Sequence, residues 1–366
     1  MNGLMLLAVL VVLMLVQSSL TYRFALKRLT YERRFDRSAA TEGEEAELIE
    51  VIRNRKLLPV PYIRAESRLS PQLRFRQDGE TQITGERYHK SVFYLRPYCQ
   101  ITRQHTVTLS KRGCYRAGTV ALTAGDLLGM SSPTAQLETG AAIEVYPRVL
   151  MPEEADLPSL RWQGDLLVKR WIVNDPVWVC GIRPYAPGDD IKDIHWKATA
   201  RMGALQVKAH DQTADPKLMV VFNAQMSQNQ WADLMEYEQQ VVERMISLTA
   251  GLCLKALCGG VEAGFAANIP LDKGDEPAIL PPARGSTRET ELLSAMAHLT
   301  VQKTRTFLSL LDRLAMFTGM DMLLFSVYDS ELIQARIQTL RLMGNTVTLK
   351  LISRDGMGKG GAELAG

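Results

Sequence analysis

The sequence predicts an α+β multidomain protein: an N-terminal transmembrane helix, an antiparallel β-sandwich, then an α/β domain. Three observations predict it. Residues 4–16 are an unbroken apolar run. From about 44 to 149, short β-branched or aromatic runs are separated by Gly, Pro, Asp and Ser, the pattern of an antiparallel sandwich. After Asp215-Pro216, apolar strand-like runs alternate with amphipathic helical ones, the pattern of a parallel sheet with helices on both faces.

The 366 residues suffice for two domains and an anchor. With 23% charged and 46% hydrophobic residues, the composition is globular and not disordered. A net charge of +3, with no basic patch interleaved with aromatics, points away from nucleic acid as a partner. The cysteines (Cys99, Cys114, Cys180, Cys253, Cys258) are odd in number, scattered and free of Cys-x-x-Cys pairs. That reads as free thiols in a reducing compartment, not as zinc ligands or a disulfide framework.

The apolar run and its weaker extension, residues 17–22, give about 17–20 residues, near the lower limit for a membrane span. Membrane contact is assigned to residues 4–20. A cleaved signal peptide would want a basic start, and Met-Asn-Gly carries no charged side chain. Arg23, Lys27, Arg28, Arg33, Arg34 and Arg37 follow at once, against Glu32 and Asp36. By the positive-inside rule the chain is a single-pass cell-membrane protein with everything after residue 22 in the cytoplasm.

The expected divisions are an anchor (1–22), a basic juxtamembrane linker (23–43), a β-sandwich (44–150), a connecting segment (151–215), an α/β domain (216–353) and a flexible tail (354–366). Lys111-Arg112-Gly113 reads as a hairpin turn. Trp162, Trp171 and Trp178 read as apolar packing. In the α/β domain, strands are expected at 217–223, 261–267, 321–327 and 346–352. Helices are expected at 229–257, 287–299, 304–317 and 331–343, with 272–285 a loop. Ser227 with Gln230, and Ser286 with Glu289, have capping-box spacing. Asp329 stands where a helix cap would.

Chemistry concentrates in residues 181–211, where Arg183, Tyr185, Pro187, Gly188, Asp189, His195, Trp196, Lys197, Arg201 and Lys208 crowd together. Pro187-Gly188-Asp189 is a tight turn by composition. Ile191, Ile194, Ala198 and Met202 then fall at helical spacing, and residues 205–209 alternate like a strand. His195 has Asp189, Asp190 and Asp193 nearby as a general base would. No serine or cysteine nucleophile stands at motif spacing, and no phosphate-binding glycine loop is present. Structural locking, with Arg183, Asp189 and Arg201 meeting, and a partner- or ligand-binding surface both remain open beside catalysis.

The pattern Arg-x-Tyr-x-Pro-Gly-Asp, then Ile-His-Trp-Lys, Ala-Arg and Leu-x-Val-Lys, resembles the signature of the bacterial domain of unknown function 58 family. Weaker likeness extends to residues 111–118, 125–130 and 145–149. The resemblance implies a membrane-anchored protein, a C-terminal part similar to a von Willebrand factor A domain, and work with a MoxR-type AAA ATPase. The family more often shows two adjacent hydrophobic segments, where this chain shows one. A metal-binding von Willebrand factor A domain carries Asp-x-Ser-x-Ser, whose oxygens suit a hard cation. Here the stretch is Asn223-Ala-Gln225-Met-Ser227, which has lost the carboxylate. The expectation is therefore no metal, no cofactor and no enzyme activity: an assembly or adaptor protein. The alternative is an enzyme acting at the membrane through His195 and its carboxylate neighbours.

Overall fold

The computed structural model describes residues 2–76, 82–84, 88–125, 132–151, 179–185, 194–210, 217–230, 234–272, 274–301 and 305–352. The chain forms two compact units, residues 1–148 with 296–298, and residues 149–295 with 299–366.

The first unit begins with helix α1 (Asn2–Phe24). Its stretch Met5–Phe24, at a mean hydropathy of 2.1, is long and apolar enough to cross a membrane, and none of it is buried in the protein. Twelve strands follow: β1 (Leu29–Phe35), β2 (Ala39–Thr41), β3 (Glu45–Asn54), β4 (Val60–Arg68), β5 (Leu73–Phe75), β6 (Gln82–Thr84), β7 (Tyr88–Leu95), β8 (Gln100–Leu109), β9 (Gly113–Arg116), β10 (Thr119–Gly125), β11 (Thr134–Glu138) and β12 (Ala142–Tyr146). They make sheets of order β1-β3-β8-β5, β11-β10-β4-β7-β6 and β2-β12-β9. Every pairing is antiparallel except β2 with β12.

Strand β3 shows why these layers form. Ala46, Leu48, Glu50, Ile52 and Asn54 alternate to one buried face, while Glu45 and Glu47 are exposed. Leu48 packs with Ala40, Val107, Ile143 and Val145. Ile52 packs with Val60, Ile63, Phe93 and Leu122. The β1-β3-β8-β5 sheet is thus the common layer, and the other two sheets cover different parts of its inner face.

Two sequence expectations are corrected here. Residues 23–43 are not only a linker, because they supply β1 and β2. On β1 the inward positions are Tyr31, Arg33 and Phe35, so a charged residue hides the apolar alternation. The turn at Lys111-Arg112-Gly113 does not close a hairpin: β8 pairs with β3 and β5, whereas β9 pairs with β12 in another sheet.

The second unit contains β13 (Val179–Pro184), α2 (Trp196–Met202), β14 (Gln206–His210), β15 (Lys217–Phe222), α3 (Glu236–Cys258), β16 (Glu262–Pro270), β17 (Pro277–Ala283), α4 (Arg288–Ala297), α5 (Phe307–Leu314), β18 (Asp321–Ser326), α6 (Glu331–Leu342) and β19 (Thr346–Leu351). Its main sheet has the order β17-β16-β15-β18-β19. All neighbours are parallel except the edge strand β17. Helices α5 and α6 cover one face through Phe307, Leu310, Leu314, Ile333, Ile337 and Leu340, against Met219, Val221, Met322 and Leu324. Helix α3 packs on β15 and β16. It carries Cys253, whose thiol burial pushes up to about 12.

Several boundaries differ from expectation. Helix α3 starts at Glu236, not near 229, and Ser227 with Gln230 is not its capping box. Gln230 is engaged elsewhere, its Oε1 accepting from Met226 N at 2.6 Å and its Nε2 donating to Glu238 at 3.0 Å. Glu238 closes the helix start by accepting from Met235 N at 2.8 Å. Ser330, not Asp329, caps α6, its Oγ accepting from Ile333 N. Helix α4 starts at Arg288, and Thr287 Oγ1 donates to Glu291 at 2.9 Å. The expected loop 272–285 contains β17. Its prolines, Pro277, Pro281 and Pro282, are tolerable because the strand is at the sheet edge and needs few ladder donors.

Strands β16 and β17 shift register between Ala263 and Phe265, at Gly264. A Cβ there would fall on the Leu280 carbonyl oxygen and within 2.6 Å of the Pro281 carbonyl carbon. Gly264→Ala is expected to destabilise the protein by about 1–3 kcal/mol through overpacking. Thermal unfolding measures this, and an unchanged midpoint would refute the close approach.

Candidate functional site

The signature segment folds as a hairpin with a helix inserted. β13 and β14 pair antiparallel, with Arg183 across from Val207 and Ile182 across from Lys208. Tyr185 N donates to Leu205 O at 2.9 Å, and Ile194 bridges to Val207. His195 N donates to Gln206 O at 2.8 Å. Thr199 Oγ1 accepts from Gln206 N at 3.0 Å, tying α2 to β14. Gly203 ends α2 in the left-handed region, at a φ of 69°.

His195 is the N-cap of α2. Its Nδ1 accepts from Ala198 N at 3.1 Å. A neutral imidazole carries one N–H, so in this arrangement the proton sits on Nε2. With Ala198 buried against β14, the helix turns Trp196, Lys197 and Arg201 outward. Trp196 is 66% exposed, unusual for the largest apolar side chain. Tyr185 is also on the surface. Pro187, Gly188 and Asp189, with Asp190 and Asp193, lie outside the described residues, as do Trp162, Trp171 and Trp178.

The second predicted place is the carboxyl edge of the parallel strands, where open α/β sheets bind ligands. Asn223 follows β15 and is fully buried. Its Oδ1 accepts from Gln225 N at 3.0 Å and from Asn268 Nδ2 at 3.1 Å, and its Nδ2 donates to Ser326 Oγ at 3.1 Å. Asn268 also accepts from Ala224 N at 2.7 Å and donates to Arg305 O at 2.8 Å. Gln225 Oε1 accepts from Phe307 N at 2.8 Å. Neutral amides thus bond one another and the strand ends, where a cation site needs anionic oxygens. Ser227 is exposed in the following turn.

Residues 181–318 match the family model described as "Protein of unknown function DUF58". A curated relative, the uncharacterized protein YeaD of Bacillus subtilis (strain 168), is 23% identical over 184 residues, covering 48% of this chain and 43% of that protein. Among solved structures, a CARDB domain from Pyrococcus furiosus is 16% identical, covering 32% of this chain and 94% of its own, with a TM-score of 0.20. A non-cellulosomal cohesin from Archaeoglobus fulgidus is 10% identical, covering 32% and 91%, with a TM-score of 0.21. TM-scores this low assign no fold.

The matched residues, 181–318, include the His195 helix and the Asn223–Asn268 edge. A third constellation lies outside them, and sequence reasoning missed it. Glu50 sits at the centre of the sandwich, directly across from Arg33 on β1 and Arg103 on β8. Its side chain and that of Arg33 are wholly buried, and the two form an ion pair. Tyr31 OH donates to Glu50 at 2.7 Å, Ser91 Oγ at 2.9 Å, and His105 Nε2 lies 3.2 Å from it. Arg33 reaches Ser67 Oγ at 2.7 Å and His89 Nδ1 at 3.2 Å. The detectable signal was three ionisable residues at inward strand positions: Arg33, Glu50 and His105.

Glu50, His89 and His105 bring a carboxylate and two imidazoles within 4.8 Å, a donor set that suits zinc. The Arg33 guanidinium takes the place such an ion would need. It pairs with Glu50 and faces His89 Nδ1, so the lone pairs are already engaged. Burial alone would raise the Glu50 carboxyl. The His105 hydrogen bond and Arg33 outweigh it and hold Glu50 well below the usual carboxylate range. Burial pushes His89 down to about 4.

Two outcomes follow. Glu50→Gln leaves Arg33 buried without its counter-charge and is expected to cost about 3–5 kcal/mol in unfolding stability. His89 is neutral when folded but takes up a proton near 6.5 when unfolded, so its contribution is full above pH 6.5 and is lost as pH falls towards 4. The loss amounts to roughly 3 kcal/mol at most. Unfolding measured between pH 7 and 4 should show this slope in the parent and a flatter one in His89→Gln. Parallel slopes would contradict the assignment.

Proposed function

We propose that this is a membrane-anchored, non-enzymatic assembly or adaptor protein whose folded units face the cytoplasm. The observation that carries the reading is the outward-turned face of α2. His195 is spent inside the hairpin as a helix cap, and Trp196, Lys197 and Arg201 stand in solvent. A tryptophan flanked by cations, on a braced element, suits a partner surface, since tryptophan and arginine dominate interface energetics. The alternative, an enzyme using His195 as general base, would require an unprotonated Nε2, and the cap keeps the proton there.

The α/β unit is read as von Willebrand factor A-like with a degenerate cation position. The parallel strand order and the amide-filled edge at Asn223 support this. A MoxR-type AAA ATPase is the proposed partner, on the strength of the family resemblance. The apolar, unburied α1 supports anchoring, and the basic residues after it support the cytoplasmic orientation.

The test uses the full chain in detergent with a purified MoxR-type ATPase from the same cell. Trp196→Ala should weaken capture at least tenfold while leaving the unfolding midpoint unchanged. His195→Ala should instead lose about 1 kcal/mol of stability with the cap. Equal capture by parent and Trp196→Ala would defeat the proposal.

A further inference from the structure

At the end of the first unit where α1 enters, three short segments converge: residues 25–28 before β1, 55–59 between β3 and β4, and 96–99 between β7 and β8. Hydrogen bonds knit them together. Arg55 N donates to Arg28 O at 3.0 Å, and Tyr98 N to Lys56 O at 3.2 Å. The buried Asn54 side chain donates to both Leu58 O and Arg96 O, at 3.0 Å each. Lys56, 8% exposed, donates its ammonium to the carbonyls of Ala25 and Lys27, tying the end of α1 to the sandwich.

The charge of this tip is one-sided. The segments contain Lys27, Arg28, Arg55, Lys56 and Arg96, and no Asp or Glu. All but Lys56 are exposed. Between them opens a cleft of about 550 Å³ lined by Phe24, Lys27, Arg28, Lys56 and Leu58. That size suits a small-molecule ligand. Lys27 Nζ sits over the Phe24 ring, 4.9 Å from its centroid. Beside the cleft, Leu57 is 75% and Tyr98 70% exposed, side chains that fit the headgroup level of a bilayer.

Backbone strain marks the same place. Arg28 and Tyr98 have φ values of 52° and 49°, in the left-handed region that residues other than glycine seldom adopt. Such conformations gather at functional sites. Both residues carry exposed side chains, one cationic and one amphipathic.

We propose that this tip binds the phosphate headgroup of an anionic phospholipid in the leaflet from which α1 emerges. Lys27 and Arg28 grip the phosphate, Phe24 and Leu58 meet the first acyl carbons, and Leu57 and Tyr98 dip into the interface. The inference rests on α1 being a membrane anchor. An apolar helix and a basic, amphipathic rim at its exit together give stronger and lipid-selective seating than either alone.

The test is native mass spectrometry of the full chain purified in detergent, offered phosphatidylglycerol or phosphatidylcholine of identical acyl chains. The parent should retain phosphatidylglycerol at least tenfold better. Lys27→Gln, Arg28→Gln and Arg96→Gln combined should abolish that preference; these side chains are exposed, so folding is not at stake. Arg68→Gln, an exposed position at the other end of β4, should leave it intact. Inorganic phosphate at millimolar concentration should not displace the lipid. Equal retention of both lipids, an undiminished preference in the triple variant, or displacement by phosphate would each overturn the inference. Carbonate washing of the parent membranes separates the two readings. Resistance with no lipid preference leaves the anchor standing and the tip refuted, whereas release into the wash refutes both.

Discussion

A carboxylate at the centre of an apolar sandwich must be paired, and Glu50 is paired with Arg33. The pair fixes the register of β1 against β3, because a one-residue slip would expose Arg33 and bury Glu32 or Arg34 in its place. That register in turn sets where β1 begins, and hence where the chain leaves α1. His105 and Ser91 extend the pairing to β8 and β7, so opposite layers of the sandwich share one polar centre. Such a centre contributes little net stability compared with an apolar one, but it penalises misregistered alternatives heavily.

The α/β unit solves the corresponding problem with neutral groups. Asn223, Asn268, Gln225 and Ser326 sit where parallel strands end and backbone groups are left over. Each amide offers both a donor and an acceptor, so the edge satisfies itself without imported charge. The hairpin bearing His195 follows the same logic: the His195 imidazole closes a helix start, and Trp196, Lys197 and Arg201 are left on the outside.

Much of this was legible in the sequence. The strand expected at 346–352 and the helix expected at 331–343 differ from β19 and α6 by one residue at one end. The strand after Trp196 was readable from its alternation, and a helix was expected there, but it starts only at Trp196: Ile194 bridges to Val207 instead, Met202 is exposed, and Ala198 alone of the spaced residues is buried on it. What escaped had a physical reason. β1 reads as a basic linker because its central inward residue is an arginine whose partner lies seventeen residues away. β17 reads as a loop because its prolines are acceptable only at an edge, which a sequence does not display. Spacing placed a cap at Ser227, yet Gln230 bonds backwards to residue 226 and Glu238 does the capping. The ionisable residues at inward strand positions could be noticed one by one, but the Glu50 centre escaped as a unit because its members come from five strands.

The fastening of Lys56 to the Ala25 and Lys27 carbonyls has a mechanical consequence. Only four residues separate α1 from β1, and their carbonyls are held by the sandwich itself. Such a joint has no slack to act as a tether. A domain on a loose leash searches a volume and raises its local concentration by wandering. With α1 seated in a bilayer as proposed, this one would move as its anchor moves, confined to the plane of the membrane with its tilt fixed. An encounter with another molecule at that surface then depends on lateral diffusion and rotation about the membrane normal, with one side of the sandwich always presented.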